Sequence, residues 1–81
     1  MSRTRDLVEF VARALADRPD AVRVTERPHR GQTLVELFMA PGDLGRVIGR
    51  QGRTATALRA LAASAGELEG VKAVVEFRDQ E

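Results

Sequence analysis

Leu7, Val8, Val11, Ala14 and Leu15 recur at helical spacing, with Arg5, Glu9 and Arg13 between them. The chain therefore opens on an amphipathic helix. Thr4 is placed to cap it and Asp6 suits its first turn. Arg18 precedes Pro19, which disfavours helical backbone, so the spacing predicts a helix over 5–17. Ala21-Val22-Arg23-Val24-Thr25-Glu26 alternates and is β-branched, the pattern of a strand. Residues 27–32 form a polar turn carrying Pro28 and Gly31. A second strand over 33–39 places Val35, Leu37 and Met39 on one face and Leu34, Glu36 and Phe38 on the other. The short connection makes the two strands an antiparallel hairpin. Pro41-Gly42 ends the second strand, and Asp43 is placed to cap a short helix over 44–48. Gly49-Arg50-Gln51-Gly52 interrupts that helix. A longer helix over 53–65 follows, stopped by Gly66. After a loop over 67–70, a strand over 71–78 sets Val71, Ala73, Val75 and Phe77 on one face. The tail over 79–81 is expected to fray.

The order α-β-β-α-α-β makes an α+β two-layer sandwich, a three-stranded sheet with helices on one face. Eighty-one residues hold one domain, expected to span 1–81, with a small core. There is no cysteine, which excludes disulfides, thiolate metal sites and cysteine nucleophiles. The apolar stretch near the N-terminus is broken by Glu9 and Arg13, unlike a signal peptide, and no apolar run approaches a membrane span. The expected location is the cytoplasm.

Net charge is +1, so any case for an anionic partner rests on local clustering. Lys72 is the one lysine; the other basic residues are arginines, whose forks suit phosphate. An arginine- and alanine-rich composition equally fits a GC-rich genome. With no Trp, no Tyr and only Phe10, Phe38 and Phe77, an aromatic stacking sheet is not expected.

The informative segment runs from Asp43 to Thr54. Two glycines flank two polar residues; Val47-Ile48 precede them and a helix follows. Glycine lets the backbone turn tightly and another backbone approach. The helix start offers unsatisfied N–H groups and the positive end of its dipole. Arg46, Arg50 and Arg53 add three positive charges, with no acid between them in sequence. A phosphodiester backbone is the guest this chemistry suits.

Val47-Ile48-Gly49-Arg50-Gln51-Gly52-Arg53 resembles the Ile-Gly-x-x-Gly signature of KH domains, and the element order resembles the type II arrangement. The Pro41-Gly42-Asp43-Leu44-Gly45 approach and the Gly49-Arg50-Gln51-Gly52-Arg53-Thr54 exit extend the likeness to small bacterial single-KH proteins over essentially the whole chain. The resemblance implies a cytoplasmic binder of single-stranded RNA, an RNA chaperone or post-transcriptional regulator. No cofactor is expected. The resemblance further implies a homodimer, or a heterodimer with a larger partner carrying KH and R3H domains, and a role in cell-wall homeostasis and cell length. Carried over by position, Gly49, Arg50, Gln51 and Gly52 form a clamp on about four nucleotides. Arg46 and Arg53 flank it, and Val47 and Ile48 lie on the apolar floor, at least one of them fully buried. Leu37, Phe38 and Met39 would approach the groove from the second strand.

Other readings stand beside this one. Gly49 and Gly52 also suit a plain break between two helices. A P-loop needs a glycine five positions before Gly52, where Val47 stands, and a lysine where Arg53 stands. His29 lies in a polar turn without carboxylate or cysteine partners. No paired carboxylates, triad or metal spacing is present, so an enzyme is not expected. On the long helix Ala55, Leu58, Leu61, Ala62 and Ala65 are assigned to the core. Thr56, Ala57, Ala60, Ala63 and Ser64 form a small, uncharged opposite side. Alanine's helix propensity explains that side, and so does a dimer or partner contact. A protein–protein adaptor that keeps the fold without using its groove is the rival function.

Overall fold

The computed structural model describes residues 2–79. Helix α1 (Arg3–Leu15) is followed by a 3-10 turn at Pro19–Ala21 and the hairpin β1 (Arg23–His29) and β2 (Gln32–Met39). Helix α2 (Leu44–Ile48), a 3-10 turn at Arg50–Gly52, helix α3 (Arg53–Leu68) and strand β3 (Ala73–Asp79) complete it. The sheet order is β1-β2-β3; β1 pairs antiparallel with β2, and β3 lies parallel to β2 on its other side. The α+β sandwich expected from the pattern is the one observed.

All three helices cover one face. Val8 and Ala12 from α1, Val47 from α2, and Leu58 and Ala62 from α3 meet Val24, Val35, Leu37, Met39 and Val75 from the sheet in one core cluster. The other face carries Glu36 between two arginines, Arg27 at 3.2 Å and Arg78 at 2.9 Å. Desolvation pushes the Glu36 carboxyl up, but the hydrogen bond from Arg78 and the charge of Arg27 hold it below its ordinary value.

Several local expectations shift. Helix α1 starts earlier because Ser2, not Thr4, caps it: its Oγ accepts the Arg5 N–H at 3.0 Å. Thr4 is instead buried inside the first turn. The helix also stops sooner, at Leu15, leaving Leu15 itself exposed. Strand β1 begins at Arg23, after Pro19 starts the 3-10 turn, and runs on through Pro28 to His29. The hairpin turn is thereby only Arg30 and Gly31, both at positive φ (53° and 76°), the two-residue geometry that matches strand twist. Pro28 is tolerated because β1 is an edge strand.

Gly66 does not stop α3. It sits buried within the helix, where a Cβ would lie 2.9 Å from the Ala73 Cβ and 3.0 Å from the Val71 carbonyl. Glycine is there to let helix and strand approach. The helix continues to Leu68, and Gly70, at φ 76°, makes the turn. Strand β3 then starts at Ala73, and Val71 is exposed. Leu61, assigned to the core, is 51% exposed. The buried stripe is Ala55, Leu58, Ala62 and Gly66, and Leu61 falls on the order of 100° around the helix from its centre. Of the expected tail, Asp79 pairs with Met39 as the end of β3; Gln80 and Glu81 lie outside the described residues.

Two glutamates close the start of α1. Glu26 accepts the Ser2 N–H at 3.0 Å and its hydroxyl at 2.7 Å. Glu69 accepts the N–H groups of Arg3 at 3.1 Å and Thr4 at 3.3 Å, and the Thr4 hydroxyl at 2.8 Å. The Arg3 backbone N–H, and after it the Thr4 hydroxyl, hold the Glu69 carboxyl below its ordinary 4.5. A depressed folded-state pKa means the stabilisation is complete above the unfolded value and fades as pH falls through the folded one. Glu69→Gln is therefore expected to lower the melting temperature at pH 7. The gap to the parent should narrow in a thermal melt series taken below about pH 4.5. A gap independent of pH would show that the charge of Glu69 is not what holds the helix start.

Candidate functional site

Between α2 and α3 the chain makes an abrupt corner. Gly49 lies at φ 76°, ψ 175°, a region open essentially to glycine alone. Gln51 (φ 57°) and Gly52 (φ 72°) are left-handed. A Cβ on Gly49 would strike the Thr54 side chain, reaching its Oγ1 and lying 2.8 Å from its Cβ. A Cβ on Gly52 would meet nothing within 4 Å. Gly49 is thus demanded from inside by the helix it leads into, whereas Gly52 faces open space. Left-handed backbone at Gln51, a residue with a side chain, costs roughly 1–2 kcal/mol, and strain of this kind gathers at functional sites.

Helix α3 begins with Gly52 as its N-cap, and no side chain caps it. This differs sharply from α1, whose first amides are held by two carboxylates. The Arg53 N–H is taken by the Arg50 carbonyl, but no carboxylate offsets the positive end of the α3 dipole, which favours an anion.

The arginines are not equivalent. Arg50 is exposed, and its guanidinium makes no ion pair or hydrogen bond among the described residues. Arg53 donates to the Gln51 Oε1 at 2.9 Å, which sets the Gln51 amide on the outer rim. Arg46 is drawn away: it pairs with Asp17 at 2.9 Å, an acid from the connection after α1. No acid lies among the three arginines in sequence, but the fold supplies one.

Val47 is fully buried and belongs to the core, not the floor of a groove. Ile48 is half-buried and reaches the surface in its place. Asp43 does not cap α2; its buried carboxylate accepts the Arg18 N–H at 3.0 Å. The second-strand wall also fails. Leu37 and Met39 are 0% exposed, and Phe38 points to the opposite face of the sheet. Strand β2 is central, so it has no free edge. The strand that borders α3 with an open edge is β3. There the Arg59 guanidinium lies over the Phe77 ring at 4.8 Å.

A family model described as the KH domain of KhpA and KhpB matches residues 5–77. The chain belongs to this KH-domain family. It is 43% identical to the RNA-binding protein KhpA of Aquifex aeolicus, over 95% of this chain and 98% of that one. It is 49% identical to the RNA-binding protein KhpA of Mycobacterium leprae, over 93% of this chain and 92% of that one. Among solved structures, it superimposes on Aquifex aeolicus Era with a TM-score of 0.62 at 18% identity, covering 94% of this chain and 29% of that one. The Era likeness shows the fold alone.

The small side chains noted on α3 are placed as follows. Thr56, Ala57, Ala60 and Ser64 are exposed, and Ala63 is half-buried beside a groove lined by Val71 and Lys72. Leu61 and Leu68 add exposed apolar side chains to the same helix, and Phe10 on α1 is 74% exposed. Periodicity assigned Leu61 inward and said nothing of Phe10. Only the packing of α1 and α3 shows which apolar residues the core has no room for.

Proposed function

We propose that this protein binds single-stranded RNA, without catalysis, by clamping its sugar–phosphate backbone at Gly49-Arg50-Gln51-Gly52. The observation that carries the reading is the uncapped start of α3, preceded by two positive-φ residues and flanked by the unpaired Arg50. Backbone N–H groups and guanidinium forks there suit phosphate oxygens. Arg53 and Ile48 complete the surface, and Arg46 joins it when released from Asp17. The relatives' description as RNA-binding proteins supports the same reading.

Further properties follow by family likeness. The protein acts in the cytoplasm as an RNA chaperone or post-transcriptional regulator. It works as a homodimer, or with a larger KhpB-like KH/R3H partner, through the α3 face around Thr56, Ala57, Ala60, Ala63 and Ser64. Through its RNA targets it influences cell-wall homeostasis and cell length. No helix among the described residues is long and apolar enough to cross a membrane. One KH groove is small, so pairing raises affinity through effective concentration.

The test replaces Arg50 and Gln51 together with aspartate. Asp accepts left-handed backbone and Arg50 is exposed, so the melting temperature should hold. Crosslinking to cellular RNA should disappear. Unchanged crosslinking would favour an adaptor that keeps the fold and leaves its groove unused.

A further inference from the structure

We infer that Arg59, backed by Phe77, is a platform on which one nucleobase of the bound RNA stacks. The inference rests on the reading of the loop as an RNA clamp and adds a base-contacting position to it.

Three observations converge. The first is placement. Arg59 follows Gly52 by two helical turns, so both lie on one face of α3, about 10 Å apart along the axis. A strand held at the loop over about four nucleotides extends past that point. The second is the edge of β3. The Lys72 carbonyl accepts from the Thr33 N–H at 2.8 Å, so Lys72, and with it Val74, Glu76 and Arg78, turn their backbone groups toward β2. Ala73, Val75 and Phe77 therefore turn theirs outward, to the free edge. The Arg59 Nε reaches that edge at the Val75 carbonyl, at 3.5 Å. The third is the nearness of the guanidinium to an aromatic ring. It lies 4.8 Å from the Phe77 ring centroid, while Phe77 itself is anchored against the core.

The guanidinium thus lies over an aromatic ring, and its Nε is tethered to a carbonyl. Arg59 makes no ion pair among the described residues and is exposed, so its outer face is available. A planar cation restrained in advance stacks on a base at reduced ordering cost. Guanidinium planes and aromatic rings are both surfaces on which unpaired bases stack. In a chain with no Trp or Tyr, the arginine serves where an aromatic residue would otherwise stand. A purely structural role, shielding the free edge of β3 from other strands, requires the positive charge but not the plane. That difference makes the two roles separable.

The experiment compares the parent, Arg59→Lys, Phe77→Leu and the Arg50→Asp, Gln51→Asp double variant by fluorescence anisotropy. One ligand is a labelled single-stranded RNA of mixed sequence; the other is the same backbone with abasic riboses. Arg59→Lys keeps the charge and most of the stem but loses the plane. It is expected to bind the intact RNA about tenfold more weakly, in line with the loss of one stacked base, and the abasic ligand like the parent. Phe77→Leu keeps apolar bulk and removes the backing ring, and should weaken binding to intact RNA in the same direction. Arg59→Lys binding intact RNA like the parent, while the double variant still loses it, would overturn the platform and leave the clamp standing. Failure of the parent itself to bind RNA would overturn both.

Discussion

Gly49→Ala should cost roughly 2–6 kcal/mol of folding free energy, a large part of the roughly 4–12 kcal/mol available to a chain of this length. Two separate penalties add. At φ 76°, ψ 175° any side chain is strained, by roughly 1–3 kcal/mol. The new methyl also meets Thr54, whose Cβ stands 2.8 Å away on backbone that cannot shift without moving the start of α3; overpacking of this kind costs typically about 1–3 kcal/mol. Gly52→Ala carries only a left-handed penalty of roughly 1–2 kcal/mol, because its position opens on free space. A double-mutant cycle separates the parts. Removing the opposing side chain with Thr54→Gly should recover most of the contact penalty in Gly49→Ala, leaving the 3.2 Å approach to the Thr54 nitrogen and the backbone strain. Urea denaturation of the four proteins of the cycle, and of Gly52→Ala, measures all of this. If Gly49→Ala unfolds at the same urea concentration as the parent, the corner is not built as described.

Salt should weaken RNA binding in a manner that counts the free arginines. For single strands the logarithmic slope is about −0.7 per phosphate neutralised. With Arg50 and Arg53 engaged and Arg46 held by Asp17, the parent slope should be about −1.4, roughly a sevenfold loss from 50 to 200 mM salt. Asp17→Asn releases Arg46. The slope should steepen to about −2.1, roughly an eighteenfold loss over the same range, with tighter binding at low salt. The fold should not notice, since both partners of this pair are more than half exposed and such pairs contribute little. An unchanged slope for Asp17→Asn would mean that Arg46 faces away from the path of the RNA.

Asp17 illustrates a general difficulty. It stands far from Arg46 in sequence and nothing in its neighbourhood announces an ion pair. The same holds for Asp43, whose position before a short helix suggests a cap but whose carboxylate is used by the Arg18 N–H. Gly66 after a run of alanines looks like a helix end, and only the nearness of Ala73 shows that it is a packing glycine. Leu61 obeys a helical repeat, yet the core stripe on α3 is too narrow to include it. In each case a local signal admits two outcomes and a distant residue selects one.

What the amino-acid order determined by itself was whatever depends on near neighbours. Apolar repeats marked the helices and strands, glycine spacing marked the corner at Gly49–Gly52, and clustered arginines marked its charge, because backbone preference and periodicity act over a few residues. Tertiary structure alone decided which surfaces remain free. It placed β2 at the centre of the sheet and β3 at its edge, sealed Val47, Leu37 and Met39 inside, and withdrew Arg46 while leaving Arg50 exposed. It also laid Arg59 on Phe77. Exposure and pairing are properties of segments meeting across long stretches of chain, and no local pattern contains them.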